Sequence, residues 1–304
     1  MSNYSDSAFS SDPNSSWNKI FSFVKPESKV LDIGCSSGNF GKRLIDEKRC
    51  VVDGLEIDPN DFKEASTRLR NVYQLNIETD DLSSITDTYD YIYFGDVIEH
   101  LVDPVKALKR LLPLFSDKNK AKLLFSLPNM SHVSVRLMLL NGNFEYGKTG
   151  LLDNTHLHFY TLNELSRVFK KAGMEITTFD PVIKDYPKKL LDDELKVVGL
   201  KNTDEFTNFI NSTNASIYQL VGIATYSDKP KSVKMEVSSP RDKFSKLLAQ
   251  TEKYYNERLA GSDAHIRKLE DEIRRIGAEK DQLELRINRS ITEQIKDKIR
   301  KRDT

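Results

Sequence analysis

Val30-Leu31-Asp32-Ile33-Gly34-Cys35-Ser36-Ser37-Gly38 carries the chain from an apolar run into a helical pattern. Three branched or aliphatic residues around one acid predict a buried strand. Gly34 and Gly38 then allow a tight turn whose backbone can come close to a ligand, and the helix that follows points its positive end at the same spot. A second apolar run, CVVDGLEI, reaches its carboxyl end at Glu56, 24 residues after Asp32, with Asp58-Pro59 next. A carboxylate at the end of a second strand suits a nucleotide ribose, because it accepts hydrogen bonds from both hydroxyls.

Further along the chain, YDYIYFG, AKLLFSLP, MEITTFD and IYQLVGIATY repeat the same short apolar form, and helical patterns separate them. Such alternation predicts βαβ units, hence an α/β fold with a Rossmann-like, mostly parallel sheet and helices on both faces. LLDDELKVV and TDEFTNFI, between residues 181 and 213, read as helices inserted before the last strand.

The 304 residues are 38% hydrophobic and 30% charged, with 46 basic and 46 acidic side chains. A net charge of zero argues against a protein that works mainly by coating nucleic acid or an anionic membrane. No run approaches the roughly 18 apolar residues of a membrane span, and MSNYSDSAFSSDPNSSW has neither the basic nor the apolar region of a secretory leader. Cys35 and Cys50 cannot staple a domain of this size. The expectation is a cytoplasmic protein, free or at the inner face of the membrane.

Composition changes near residue 229, giving a domain over 1–228, a polar linker over 229–240 and different material over 241–304. Tyr255, Leu259, Ile266, Leu269, Ile273, Ile276, Leu283 and Ile287 fill a and d positions of one heptad frame, interrupted by Ser262 and Lys280. This predicts a long C-terminal helix forming a coiled coil, a homodimer or trimer through 255–287. The alternative is one helix folded back on the domain. Residues 286–302 hold seven basic side chains against two acidic ones, so this end can touch a membrane surface or a protein, or simply be a solvated face.

VLDIGCSSG resembles the first motif of the class I S-adenosylmethionine-dependent methyltransferases, usually VLDxGCGxG. Glu56 matches the family's acid at the end of strand two, DTYDYIYFGDVIEHLVDPVKALKRLLPLF its fourth-strand segment, and KLLFSLPN its fifth strand. The likeness covers about residues 17–227. It implies a seven-stranded sheet and S-adenosyl-L-methionine as cofactor. Asp32 would orient the methionine amino group; Gly34, Cys35 and Gly38 would line the methionine and ribose; Glu56 would hold the ribose hydroxyls. Ile57 and Ile77 would sandwich the adenine, though core packing serves either equally well. Gly95 and Asp96 would face the methionine end. Ser36 stands where the family has glycine, and Asn76 where it often has aspartate at the adenine; asparagine's carbonyl can still accept that bond. Tyr4 and Phe9 would belong to a lid, and Trp17 would pack against the sheet.

Four of the five histidines, His100, His132, His156 and His158, lie in the domain; the fifth is His265. A sugar hydroxyl is hardly ionised at neutral pH, so its methylation calls for help in removing the proton. The candidate catalytic side chains are His156, His100 and Glu99. In one reading His156 is the base, oriented by Glu99 or Asp153. In another, Asp96, Glu99, His100 and His156 or His158 hold Mg²⁺ or a similar ion, as a resembling E-x-x-E-H does in quinone-biosynthesis and small-RNA methyltransferases. In a third the set is structural. The sequence assigns no metal ligand, and Mg²⁺ stays an unadopted alternative. Thr161 and Glu164 predict a capping box at the next helix.

DNTHLHFYT also resembles the D-x-T-H-x-x-F-x-T of methyltransferases found with bacterial surface-polysaccharide glycosyltransferases, some of which carry a coiled coil. That implies a sugar or glycan acceptor and a glycosyltransferase as partner. Residues 131–150, between the fifth strand and the histidines, are expected to form part of the acceptor pocket, with Arg136, Tyr146 and Lys148 available for polar or acidic substrates, unless they merely keep the loop soluble. Nucleic acid is not favoured. The alternatives are a quinone-like or aromatic hydroxyl as acceptor, or a scaffold that organises partner enzymes.

Overall fold

The computed structural model describes residues 12–231 apart from 118, 119, 121 and 213. Tyr4, Phe9 and the expected coiled coil of 241–304, with its dimer or trimer seam over 255–287 and basic end at 286–302, lie outside the described residues.

The chain opens with α1 (Ser16–Phe23), then runs β1 (Lys29–Ile33), α2 (Asn39–Lys48), β2 (Val51–Leu55), α3 (Pro59–Ala65) and β3 (Asn71–Tyr73). β4 (Tyr91–Gly95), α4 (Pro104–Arg110), β5 (Lys122–Pro128), α5 (Val133–Leu140) and α6 (Leu162–Lys171) follow. β6 (Met174–Phe179), β7 (Val182–Ile183), α7 (Lys188–Val197), α8 (Asp204–Ser212) and β8 (Ile217–Tyr226) complete it. β1 to β5 pair in parallel in the order β3-β2-β1-β4-β5, and β8 then enters antiparallel between β5 and β6.

The sheet has eight strands where seven were expected. β8 is ten residues long, and β6 covers only its far end, Gly222 to Tyr226. The near end that β6 leaves unpaired, Ile217 and Gln219, is paired by the two residues of β7. Strands as short as β3 and β7 carry no countable alternation, which is why the sequence does not announce them.

Successive side chains of β1 point to opposite faces. Leu31 and Ile33 join one cluster, with Ile98, Leu108, Phe125, Leu165 and Phe169. Val30 and, past the strand end, Cys35 join the other, with Ile20, Phe40, Leu44 and Tyr93. Each full burial of this kind is worth about 1.5–3 kcal/mol, so helices are needed on both faces. Trp17 is half-buried and packs its ring 5.7 Å from that of Phe40.

Thr161 caps α6 by accepting the Glu164 amide at 3.4 Å. The box is half closed, because the Glu164 carboxylate turns instead to Arg167. α7 and α8 form where LLDDELKVV and TDEFTNFI predict them. Among the described residues no helix is long and apolar enough to cross a membrane.

Candidate active site

The carboxyl ends of β1, β2 and β4 meet at one edge of the sheet. Gly34 has φ 67° and Gly38 has φ 81°, left-handed values that suit glycine. At Gly34 the reason is doubled: a Cβ there would lie 2.6 Å from Val97 Cγ2, in the loop after β4. The Gly34 and Cys35 amides both reach the Leu55 carbonyl, at 2.7 and 3.2 Å, which ties this turn to the end of β2. Ser36 takes φ 48°, a left-handed value that ordinary residues seldom adopt.

Glu56 is 7% exposed. Its carboxylate accepts the Ser36 amide at 2.7 Å and the Ile57 and Asp58 amides at 2.8 Å each. A carboxylate has about four acceptor sites, so one remains for a ligand hydroxyl. Asp32 is 3% exposed, and no hydrogen bond to its carboxylate occurs among the described residues. Burial, then the charge of Glu56, pushes Asp32 up to about 8. A cation placed against it would restore the charged form.

Ile57 is 60% exposed, whereas Ile77 is 5% exposed and belongs to the core. Of the expected adenine sandwich only Ile57 offers a face. Two other expected cofactor residues have neighbours of their own within the chain. The Cys35 side chain is buried against Gly54, so only its backbone is at the turn. The Asn76 side-chain oxygen accepts the Glu78 amide at 2.8 Å and caps its own turn. This is a local bond that short polar side chains favour.

A second set of groups gathers after β4. Gly95 ends the strand, and Asp96 follows with φ 53°. The 3-10 turn Ile98–His100 then presents Glu99 and His100. The Glu99 carbonyl accepts the amides of Leu157 and His158, at 2.9 and 3.0 Å. His100 Nδ1 donates to the Thr155 carbonyl at 3.1 Å. These bonds dock the 153–160 segment on the turn across some 55 residues of sequence, and they bring His156 beside Glu99 and His100.

Glu99 is 1% exposed, and neither of its carboxylate oxygens has a hydrogen-bond partner. Burial, then the charge of Asp96, raises it well above the ordinary carboxylate range. His156 Nε2 lies 4.0 Å from Glu99 Oε1, too far for a hydrogen bond, and the His100 and His156 rings are 4.8 Å apart. Burial and the neighbouring His100 hold His156 below its usual value. One ligand atom from each of Glu99, His100 and His156 can be chosen so that all lie within 4.8 Å of one another.

Asp96 and His158, considered as ligands on sequence grounds, are outside that set. His158 Nε2 faces the Val102 carbonyl at 3.3 Å. Asp96 is held by Gln219. Asp153 accepts the Thr155 amide and hydroxyl at 2.8 and 2.6 Å, and its charge also acts on the His156 ring, which it favours in the protonated form; Glu99 stands 4.0 Å from that ring. His132 caps α5 and reaches the Lys184 carbonyl, a structural duty.

Beside the cluster, Phe144, Tyr146 and Phe159 group their rings at 5.4 to 6.2 Å, and His156 is 6.4 Å from Phe159. Tyr146 and Lys148 are exposed. Arg136 turns back to its own Ser131 carbonyl at 2.6 Å. Sequence reasoning missed Gln219 and Tyr160. Gln219 is the polar intruder in an apolar strand, a signal that was available. Tyr160 Oη is buried without a partner, close to Glu99, and nothing in HFYT distinguishes it.

The family model for a methyltransferase domain matches residues 14–178. None of the curated proteins matches the chain. Among solved structures, a TehB-like SAM-dependent methyltransferase from Corynebacterium glutamicum is 14% identical, over 70% of this chain and 87% of that one, with a TM-score of 0.43. The YcgJ protein from Bacillus subtilis is also 14% identical, over 69% and 95%, with a TM-score of 0.43. The plantazolicin methyltransferase BpumL in complex with SAH is 15% identical, over 69% and 79%, with a TM-score of 0.44.

Proposed function

The chain belongs to the methyltransferase-domain family, and on that footing we propose that it moves a methyl group from S-adenosylmethionine to a hydroxyl oxygen of a sugar. When bound, that cofactor supplies a methyl group on a sulfonium centre, an electrophile already activated. The residues of the β1, β2 and β4 edge fit it. Asp32, buried and unpartnered, would take the ammonium. The remaining acceptor site of Glu56 would take a ribose hydroxyl, and Ile57 would offer its face to the adenine.

The observation that carries the hydroxyl assignment is Glu99, buried without a partner 4.0 Å from His156 and flanked by His100. A hydroxyl must shed its proton as its oxygen attacks. This cluster lies at the same sheet edge and is equipped to help, with His156 as the base or as a ligand of an activating ion. Burial holds His156 neutral at pH 7, the form that both roles require. Support for a sugar comes from the Asp153–Thr161 motif and from exposed rings beside polar loop residues.

A quinone-like or aromatic acceptor is the second reading. The exposed Leu139, Leu140, Phe144 and Leu157 favour it, since they make residues 131–158 more apolar than their sequence suggests. Assembly through residues 241–304, with a glycosyltransferase as partner, belongs to the first reading. Full-length protein incubated with methyl-labelled cofactor and an extract of its source organism should label the glycan fraction. Label in the lipid and quinone fraction instead would select the second acceptor. Light scattering on the full chain and on a chain ending at residue 240 tests the assembly, which fails if the two have the same stoichiometry.

A further inference from the structure

We infer that Glu99, His100 and His156 form a binding site for a divalent first-row transition ion of the zinc or manganese kind. The site itself stands on geometry; its role in transfer rests on the hydroxyl reading above.

The first ground is the state of Glu99. Both carboxylate oxygens are buried and neither has a donor, although buried polar groups are almost always satisfied. The nearest imidazole nitrogen stands off at 4.0 Å, a gap that a proton does not bridge. A cation does. Two ligands each about 2.1 Å from an ion lie at most about 4.2 Å apart. At tetrahedral angles the separation is about 3.4 Å; the set already falls within 4.8 Å, so closure needs each side chain to move by less than about 1 Å, within reach of a rotation about its own bonds.

The second ground is how the ligands are held. A metal-bound imidazole normally gives its other ring N–H to a carbonyl or carboxylate. His100 does this: Nδ1 donates to the Thr155 carbonyl at 3.1 Å, which leaves Nε2 as the free lone pair. Thr155 is itself fixed, through its amide and hydroxyl, on Asp153. The Glu99 carbonyl clamps the amides of Leu157 and His158 and so sets where His156 stands. Each ligand is thus oriented by bonds that no ion supplies.

The donor set selects the ion. Two imidazole nitrogens and one carboxylate suit zinc, manganese, iron or cobalt. Magnesium prefers oxygen ligands and keeps several waters, which a wall with two imidazoles does not favour. Three protein ligands leave positions open for an outside oxygen. An acceptor hydroxyl bound there would have its pKa lowered and lose its proton to water, and His156 would then serve as a ligand.

The test uses the full chain, stripped with a chelator and dialysed in parallel against Zn²⁺, Mn²⁺ and Mg²⁺, with bound metal counted by mass spectrometry. The expected result is one retained equivalent of Zn²⁺ or Mn²⁺ and no retained Mg²⁺. Glu99→Gln and His100→Ala should each weaken retention by more than the roughly 10–100-fold that loss of a supporting partner costs. His158→Ala should retain the parent's equivalent. Retention of none of these ions by the parent, or equal retention by Glu99→Gln and His100→Ala, overturns the site. Because those variants can lose their fold, the parent is also loaded with Co²⁺. Visible absorption bands of a low-coordinate nitrogen–oxygen site are expected, and a spectrum identical to aqueous Co²⁺ overturns it. Methyl transfer to a hydroxyl that persists undiminished in the metal-free protein would overturn the ion's role in transfer and leave the proposed function standing. A stoichiometric ion with label only outside hydroxyl acceptors would do the reverse.

Discussion

Gln219, on the last strand, donates its side-chain amide to both carboxylate oxygens of Asp96, at 3.1 and 3.3 Å. Burial raises Asp96 from 3.8 to about 6, and Gln219 opposes the rise. An acid whose folded value lies above its unfolded one costs stability as pH increases: the loss begins above 3.8 and is complete above about 6. Gln219→Leu removes the donor and enlarges that cost. We expect a loss of about 1–3 kcal/mol at pH 8 and a clearly smaller one at pH 5, where the variant's Asp96 is protonated. Urea unfolding at the two pH values, in chelator, measures it. Glu99 and Tyr218 also face this carboxylate but are unchanged between parent and variant, so the difference reports Gln219. Equal losses at both pH values would mean that Gln219 acts by packing alone.

Ser36 has φ 48°, a left-handed value at the turn that follows β1. The left-handed region costs an ordinary residue roughly 1–2 kcal/mol. Part of that is recovered here, since the Ser36 amide bonds Glu56 at 2.7 Å and its hydroxyl bonds Asp61 at 3.2 Å. Ser36→Gly relieves the strain but loses the hydroxyl and loosens the unfolded chain, so its stability should stay within about 1 kcal/mol of the parent. Ser36→Val, β-branched in the same conformation, should lose more than about 1–2 kcal/mol. Thermal unfolding ranks the three, and a tolerated valine would show that the turn is not held as described.

Much of this was legible in residues 30–38 and 50–58. Glycines at 34 and 38 and an acid at 56 answer to backbone geometry that few other sequences satisfy, and the structure puts them at one sheet edge. Asn76, Ile77 and Cys35 were less legible, because a motif position says where a residue lies along the chain but not which way its side chain turns. Asn76 closes its own turn, and Ile77 and Cys35 fall into the core. Glu99 and His156 could each be suspected from sequence, but their meeting depends on the Glu99 carbonyl taking two amides from the 153–160 segment. Backbone bonds of that kind leave no mark in residue types.

Asp53, fully buried in β2, collects four donors: Arg70 Nε at 2.8 Å, Arg70 Nη2 at 2.5 Å, Asn71 at 3.2 Å and the Tyr89 hydroxyl at 2.7 Å. Asp53→Asn keeps the shape and removes the charge. Breaking a buried pair costs about 3–5 kcal/mol, but Arg70 is 37% exposed and keeps Asp87, so solvent and that second acid soften the loss. We expect about 2–3 kcal/mol in denaturant titration, with cofactor affinity at low denaturant unchanged. A loss under 0.5 kcal/mol, within the range of ordinary surface changes, would show that the network is dispensable.

Glu56 serves two purposes, and they can be separated. Its carboxylate holds the turn by accepting three amides, from Ser36, Ile57 and Asp58, and one acceptor site is left for a ribose hydroxyl. Glu56→Gln has a single side-chain acceptor oxygen, and its NH₂ faces amides that also donate, so about 1–3 kcal/mol of stability should be lost. Weaker cofactor binding alone would not prove contact, because a loosened turn weakens binding too. A cofactor analogue lacking the ribose hydroxyls resolves this. Calorimetry should find that the parent binds it about 10-fold or more below S-adenosylhomocysteine, a gap of about 1.4 kcal/mol. In Glu56→Gln that gap should largely close, since the partner of the hydroxyls has gone. A gap of the same size in both proteins would assign the hydroxyls to another residue and leave Glu56 as the brace of the loop.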